Sequence, residues 1–202
     1  MQFLTRRPEH PASLGILPGT FNPPTSAHLA LAEAALSEVD EVVLVLPRTF
    51  PHKDFSGATF DQRAHMLCAL LAGRARLSAA SAAGGLFIDI AHECRAVFGP
   101  DVPLTFVCGR DAAERIVNWD YGNKHIINEI LDSFSLLVAC REGAFEPPPH
   151  LCHAIRPLAL PSVLNAVSAS EVRRRIQIGF DWENLVPAPI VPLVREIYRP
   201  SA

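Results

Sequence analysis

The sequence predicts an α/β protein built on a doubly wound parallel sheet, and three features carry that prediction. Residues 41–46 (Glu-Val-Val-Leu-Val-Leu) form a short, β-branched run, apolar almost without interruption. That is the pattern of a parallel strand covered on both faces. Between it and an earlier apolar run at 14–17, Leu29, Leu31, Ala32, Ala35 and Leu36 recur with helical spacing. Strand, helix and strand within about thirty residues make a βαβ unit. Further apolar strands at 104–107 and 135–139 then alternate with helical stretches, which extends the unit into a sheet.

The remaining elements follow in order. Residues 47–58 are rich in Pro, Gly and polar side chains and read as a loop at the carboxyl end of the 41–46 strand. Phe60, Ala64, Met66, Leu67, Leu70 and Leu71 mark a helix closed by Gly73. The Ala- and Ser-rich stretch 75–85 has room for a short strand. A helix over 88–98 ends at Gly99-Pro100, and the 104–107 strand leads into the turn Cys108-Gly109-Arg110-Asp111. The 135–139 strand leads into Arg141-Glu142-Gly143, a proline-rich excursion fills 145–150, and 155–160 holds a last strand. Two C-terminal helices are expected: 171–178, capped by Ser170, and 188–198, with Pro192 in its first turn. Loops at Gly19, Pro47, Gly109 and Arg141 all leave strand carboxyl ends, where ligands of such sheets bind.

The 202 residues suit one domain, with 1–12 as an N-terminal extension. Hydrophobic content is 49%, yet no apolar run reaches membrane-spanning length, and no signal core follows Arg6 and Arg7. A net charge of −3 disfavours a nucleic-acid binder, which wants a basic face. Cys68, Cys94, Cys108, Cys140 and Cys152 are odd in number and lack Cys-x-x-Cys spacing, so they read as reduced thiols in a cytoplasmic protein, with no metal site. Oligomeric state has no signature here; a homo-oligomer is compatible with the sequence.

Two stretches carry chemistry. In Gly19-Thr20-Phe21-Asn22-Pro23-Pro24-Thr25-Ser26-Ala27-His28 a glycine turn and two prolines lead from a strand into a helix starting near Thr25 or Ser26. Free N–H groups and the helix dipole favour an anion there. Gly19 lets the backbone approach a ligand, and His28 is one turn in, able to reach back over bound phosphates. Taken alone, these residues also fit an ordinary strand-to-helix connection with Thr25 as N-cap. In Val167-Ser168-Ala169-Ser170-Glu171-Val172-Arg173, a second helix start is followed by Arg173, Arg174 and Arg175. Three cations near a helix N-terminus oppose its dipole. Arg174 and Arg175 read as a solvated face; for Arg173 a bound polyphosphate would make the charge favourable.

The first stretch resembles the signature of the nucleotidyltransferase superfamily, Gly-x-Phe-Asp-Pro-x-His/Thr-x-Gly-His, with Asn22 for Asp and Ala27 for Gly. The second resembles its Ile-Ser-x-Ser/Thr-x-x-Arg triphosphate motif. Neither Gly-x-Gly-x-x-Gly nor a Walker A sequence occurs. Over most of the chain the resemblance is to nicotinate/nicotinamide mononucleotide adenylyltransferases. Pro51-His52-Lys53 is similar to their Pro-His-Lys/Arg, whose basic residue faces phosphate, although alone Lys53 reads as a loop lysine in water. Gly109-x-Asp111 with the downstream Trp119 is similar to an adenylate-contacting Gly-x-Asp and a tryptophan that stacks on pyridine. Trp119 also fits a helix-packing aromatic. Arg141-Glu142-Gly143 and the ending Asn184-Leu185-Val186-Pro187 match further pieces. One departure concerns Phe87, which stands where bacterial members carry a threonine that helps to hold the nicotinate carboxylate.

The resemblance implies a Rossmann-like nucleotidyltransferase fold whose residues 168–202 close the ATP site. ATP is the implied co-substrate, with Mg²⁺ carried on its phosphates. His28, Arg173 and Lys53 are the implied catalytic residues. Gly19, Thr20, Phe21, Thr25, Gly109, Asp111, Ser168 and Ser170 would hold ATP, while Trp119, Arg141 and Phe87 would meet the mononucleotide. Two rivals stay open: a transferase of the same fold using a phosphopantetheine, alcohol- or sugar-phosphate acceptor, and a nucleotide-binding regulator without turnover.

Overall fold

In the computed structural model, which describes residues 1–7, 9–49, 57–118, 126–139, 145–164 and 166–199, the apolar runs pair into a seven-stranded sheet. Its strands are β1 (Gln2–Thr5), β2 (Leu14–Pro18), β3 (Glu41–Pro47), β4 (Leu77–Ala82), β5 (Leu104–Gly109), β6 (Ser135–Ala139) and β7 (Ile155–Leu158). They lie in the order β1-β4-β3-β2-β5-β6-β7, and every neighbouring pair is parallel except β1 on β4. The helices are α1 (Ser26–Ala35), α2 (Phe60–Leu71), α3 (Phe87–Phe98), α4 (Arg110–Asn118), α5 (Ile126–Ser133), α6 (Ala169–Gln177) and α7 (Val191–Ile197).

Alternation along β3 explains why its sequence lacks a polar face. Val42, Leu44 and Leu46 enter one core, with Leu31, Met66, Val172 and Val194 from α1, α2, α6 and α7. Val43 and Val45 enter the other, with Ile90, Ala113 and Leu131 from α3, α4 and α5. Each such Val, Leu, Ile or Met side chain, when fully buried, stabilises the fold by roughly 1.5–3 kcal/mol. The doubly wound reading is therefore correct, and the sheet order reverses between β2 and β5. Ile16 of β2 sits opposite Phe106 of β5. Gly19 and Gly109, three residues beyond each, therefore emerge at the same level of the switch-point crevice, the place where such sheets bind ligands.

Several expectations need correction. The 1–12 stretch holds an edge strand, β1, whose register shifts between Phe3 and Thr5. Gly109 is not in a loop: it is the last residue of β5, and α4 begins at Arg110. The helix expected at 171–178 begins at Ala169, and its N-cap is Ser168 rather than Ser170. The helix expected over 188–198 opens with a 3₁₀ turn at 188–190 before α7, and Pro47, read as loop, is the last residue of β3. Helix α2 spans the predicted residues, held by a capping box in which the Thr59 N–H donates to Gln62 Oε1 (2.8 Å) and the Gln62 N–H to Thr59 Oγ1 (3.2 Å). Pro192 lies in the first turn of α7, where its missing N–H is harmless.

Candidate functional site

The loop after β2 is built around Phe21. Its ring is fully buried, and its backbone takes the left-handed conformation (φ 46°). A Cβ on Gly19 would lie 2.9 Å from Phe21 Cζ. The neighbouring buried ring is thus a packing reason for glycine at 19, beside the ligand approach expected from the sequence. The Gly19 N–H donates to the Val45 carbonyl (3.0 Å), which ties the turn to β3. Thr25, fully buried, caps α1.

His28 closes this capping arrangement from the N3 position of α1. The Thr25 N–H donates to His28 Nδ1 (3.0 Å), and Thr25 Oγ1 lies 2.8 Å from the same nitrogen. The His28 N–H in turn reaches Thr25 Oγ1 (3.4 Å). A peptide N–H has its hydrogen fixed by the backbone, so Nδ1 must be the acceptor, and in the neutral ring the proton sits on Nε2. The imidazole also packs edge-on to Phe21, with ring centroids 5.2 Å apart. A buried aromatic and a buried cap therefore fix an imidazole whose far nitrogen is a donor.

The second helix start meets this loop directly. The Ser168 hydroxyl accepts from the Glu171 N–H (3.1 Å) and caps α6. Nη1 of Arg173 donates to the Asn22 carbonyl, and its Nη2 to the Ser170 hydroxyl (3.3 Å). Residues 151 positions apart are thereby joined, and Arg173 is placed one residue from Phe21. Arg174 and Arg175 do not crowd the positive end of the dipole as the sequence suggested. They occupy the last turn of α6, where cations are favourable, and both bind Glu171 at 2.7–2.8 Å. Hydrogen bonds from those guanidinium groups hold the Glu171 carboxyl down at about 2.

Asn22 is the junction that the sequence did not reveal. It is buried, and its Oδ1 accepts from the Ala58 N–H (3.2 Å) and from the Tyr198 hydroxyl. Arg63, also buried, donates from Nη1 to the Thr20 carbonyl (3.0 Å) and from Nε to the Thr59 carbonyl (3.3 Å). The signal for Asn22 was its place between Phe21 and the prolines. Arg63 interrupting the apolar stripe of α2 was another.

Elsewhere in the crevice, Asp111 is exposed in the first turn of α4, where an anion suits the dipole. Phe87 begins α3 and stacks on Phe106 (4.4 Å between centroids, 14° between planes), with Phe134 completing the aromatic group. Lys53, Trp119 and Arg141 lie outside the described residues. Among the described residues no three His, Cys, Asp or Glu side chains are grouped to hold a metal ion, and no helix is long and apolar enough to cross a membrane. The groups gathered around the loop are amide N–H, hydroxyl, imidazole and guanidinium, a donor set for anions.

A family model for cytidylyltransferase-like proteins matches residues 16–175, from within β2 to Arg175 of α6. The chain belongs to the cytidylyltransferase-like family. Among relatives, a protein of Geobacter sp. strain M21 named "Probable nicotinate-nucleotide adenylyltransferase" is 30% identical, over 91% of this chain and 95% of its own length. One of the same name from Stenotrophomonas maltophilia is 30% identical, over 87% of this chain and 91% of its own. The nicotinic acid mononucleotide adenylyltransferase of Plasmodium falciparum, solved with NaAD, has the same fold (TM-score 0.71, 17% identity, 92% and 97% of the two chains). Against this family background, the Asn22–Arg173 contact joins the two segments that resemble its phosphate-binding signatures.

Proposed function

We propose that this protein transfers the adenylyl group of ATP to nicotinate mononucleotide or its amide, giving a dinucleotide and pyrophosphate in NAD biosynthesis. The observation that carries this reading is the Arg173–Asn22 hydrogen bond, which fastens the second helix start to the first at the switch point of the sheet. The names of the relatives that match almost end to end support the acceptor.

A phosphate oxygen of the mononucleotide attacks the α-phosphorus of ATP in line. A bond forms from that oxygen to phosphorus, and the bond from the α-phosphorus to the oxygen bridging it to the β-phosphorus breaks, with the electron pair leaving on pyrophosphate. The nucleophile is already an anion, so no general base and no covalent enzyme intermediate are needed. Catalysis is positioning plus neutralisation of charge as it shifts onto the leaving group. His28 donates from Nε2, and Arg173 supplies the fixed positive charge. Thr20, Phe21, Ser168 and Ser170 present backbone or hydroxyl donors, Thr25 acts through His28, whose Nδ1 takes both of its donors, Lys53 adds a cation, and residues 168–202 close the ATP side. Gly109 and Asp111 take the adenylate, and Phe87, Trp119 and Arg141 wall the acceptor.

Mg²⁺ enters with the ATP phosphates, since a donor set made for anions offers it no protein cage. Both substrates are small molecules of the cytoplasm, and neither nucleic acid nor membrane is called upon. The test is pyrophosphate release from ATP and from CTP with a panel of phosphate acceptors. Turnover with ATP and a pyridine mononucleotide is expected. Turnover confined to phosphopantetheine or to an alcohol or sugar phosphate would replace the acceptor, and ATP binding with no release from any acceptor would point to a regulator.

A further inference from the structure

Two elements beyond the two signatures, the end of α7 and helix α2, join α6 in converging on residues 20–22. Tyr198, immediately after α7, donates its hydroxyl proton to Asn22 Oδ1. The direction of that bond follows from its neighbour. The Ala58 N–H can only donate, so the atom facing it is the amide oxygen, and Tyr198 must supply a proton to the same oxygen. Burial pushes the Tyr198 phenol up, which keeps that proton in place. From α2, the buried Arg63 guanidinium holds the Thr20 carbonyl. From α6, Arg173 holds the Asn22 carbonyl. All three side chains therefore end on the same three-residue segment, Thr20–Asn22.

Most of these bonds use groups that phosphate does not need. Tyr198 takes a side-chain oxygen, and Arg63 a carbonyl that points away from the N–H side of its own peptide. Gly57, at φ 111°, fits against Asn22, where a Cβ would come within 3.0 Å of both amide atoms. Each bond removes freedom from a short segment whose amide groups must be aimed before ATP arrives.

We propose that Tyr198 and Arg63 are positioning residues for adenylyl transfer, fixing the Thr20–Asn22 backbone so that the phosphate-binding groups are aimed in advance. The inference rests on the reading of this site as an ATP phosphate site, and it makes the last helix a working part of that site. Misplacing such a segment by about an ångström costs up to about a hundredfold in rate.

The test is steady-state kinetics of Tyr198→Phe, Arg63→Lys and Arg63→Gln, with melting temperatures. Tyr198→Phe is expected to lower kcat/KM for ATP about tenfold, with KM for the mononucleotide unchanged. Arg63→Lys should recover part of what Arg63→Gln loses, because it keeps a cation but not the two-carbonyl grip. Lowered melting temperatures with unchanged kinetic constants, measured well below melting, would overturn the proposal and leave both residues as structural. If the variants do not fold, hydrogen exchange of the wild-type protein in urea carries the test. Protection of the Ala58 N–H, which is bonded to Asn22 Oδ1, must be lost together with that at 191–198; separate loss overturns the proposal. If the wild type turns over no acceptor, the transferase reading falls, and positioning is then read on the Kd of a non-hydrolysable ATP analogue. A tenfold weakening in Tyr198→Phe supports it, and an unchanged Kd overturns it.

Discussion

The guanidinium of Arg173 donates to the main-chain carbonyl of Asn22 and, at 3.3 Å, to the hydroxyl of Ser170. One side chain therefore binds its own helix start and the loop at the start of another, and both helix starts present N–H groups. Lysine could not reproduce the fork, since an ammonium lacks a planar pair of donors. Arg173→Lys is expected to lower kcat by about a hundredfold or more, with the melting temperature changed by only a few degrees, as for removal of a charge-stabilising donor. Steady-state kinetics beside a thermal melt check this.

His28→Ala should lower turnover by about 10²–10³-fold while the fold persists, because Thr25 still caps α1 without the imidazole. Thr25→Ala acts on both counts. It removes the cap, at about 1 kcal/mol, and it removes the hydroxyl beside His28 Nδ1. Its stability loss is expected to come with a fall in kcat, whereas a fall in stability alone would separate the cap from the chemistry.

Gly19→Ala tests the packing reason for the glycine. The new methyl would meet the Phe21 ring at 2.9 Å, and that ring is fully buried. A loss of roughly 1–3 kcal/mol is expected from overpacking, measurable by denaturant titration. A neutral result would leave ligand approach as the reason for glycine at this position.

A pH effect is expected far from the site. Glu41 is fully buried at the start of β3; its Oε1 accepts from the Ser78 hydroxyl, and its Oε2 has no hydrogen-bond partner among the described residues. Burial raises its carboxyl above the ordinary 4.5, although the Ser78 bond and the nearby Arg7 and Arg6 pull it down. The folded state thus binds this proton more tightly than the unfolded chain. Its stabilising contribution is complete below 4.5 and is lost as pH rises through the folded value. Glu41→Gln should abolish that loss, so the variant gains on the wild type as pH rises above 4.5. Melting temperatures across pH for both proteins decide it.

Patterns confined to one element were legible in the sequence. The apolar run of β3, the helical stripe of α2 and the strand β6 each carry their own period and stop signals. Strand β1 has four residues at a sheet edge, too few to show alternation. Helix α4 buries only Ala113 among its nine residues, and its polar surface hid it behind the Gly109-x-Asp111 match. The cap of α6 was misassigned because Ser168 and Ser170 are both good N-caps, and which one serves depends on Val172 turning into the core. Within the site, local features such as the Thr25 cap were readable. The Asn22 junction was not, because its partners Ala58, Arg173 and Tyr198 meet it only through the fold.

The central claim is that the helix starts of α1 and α6 form one clamp for the ATP triphosphate and drive adenylyl transfer. Its most direct measurement is the time course of pyrophosphate and dinucleotide formation from ATP and nicotinate mononucleotide, with wild-type protein and with His28→Ala. Equal amounts of the two products from the wild type, and their near-complete loss in a folded His28→Ala, are predicted. Undiminished turnover in that variant, or ATP bound by the wild type without any pyrophosphate released, would contradict the claim.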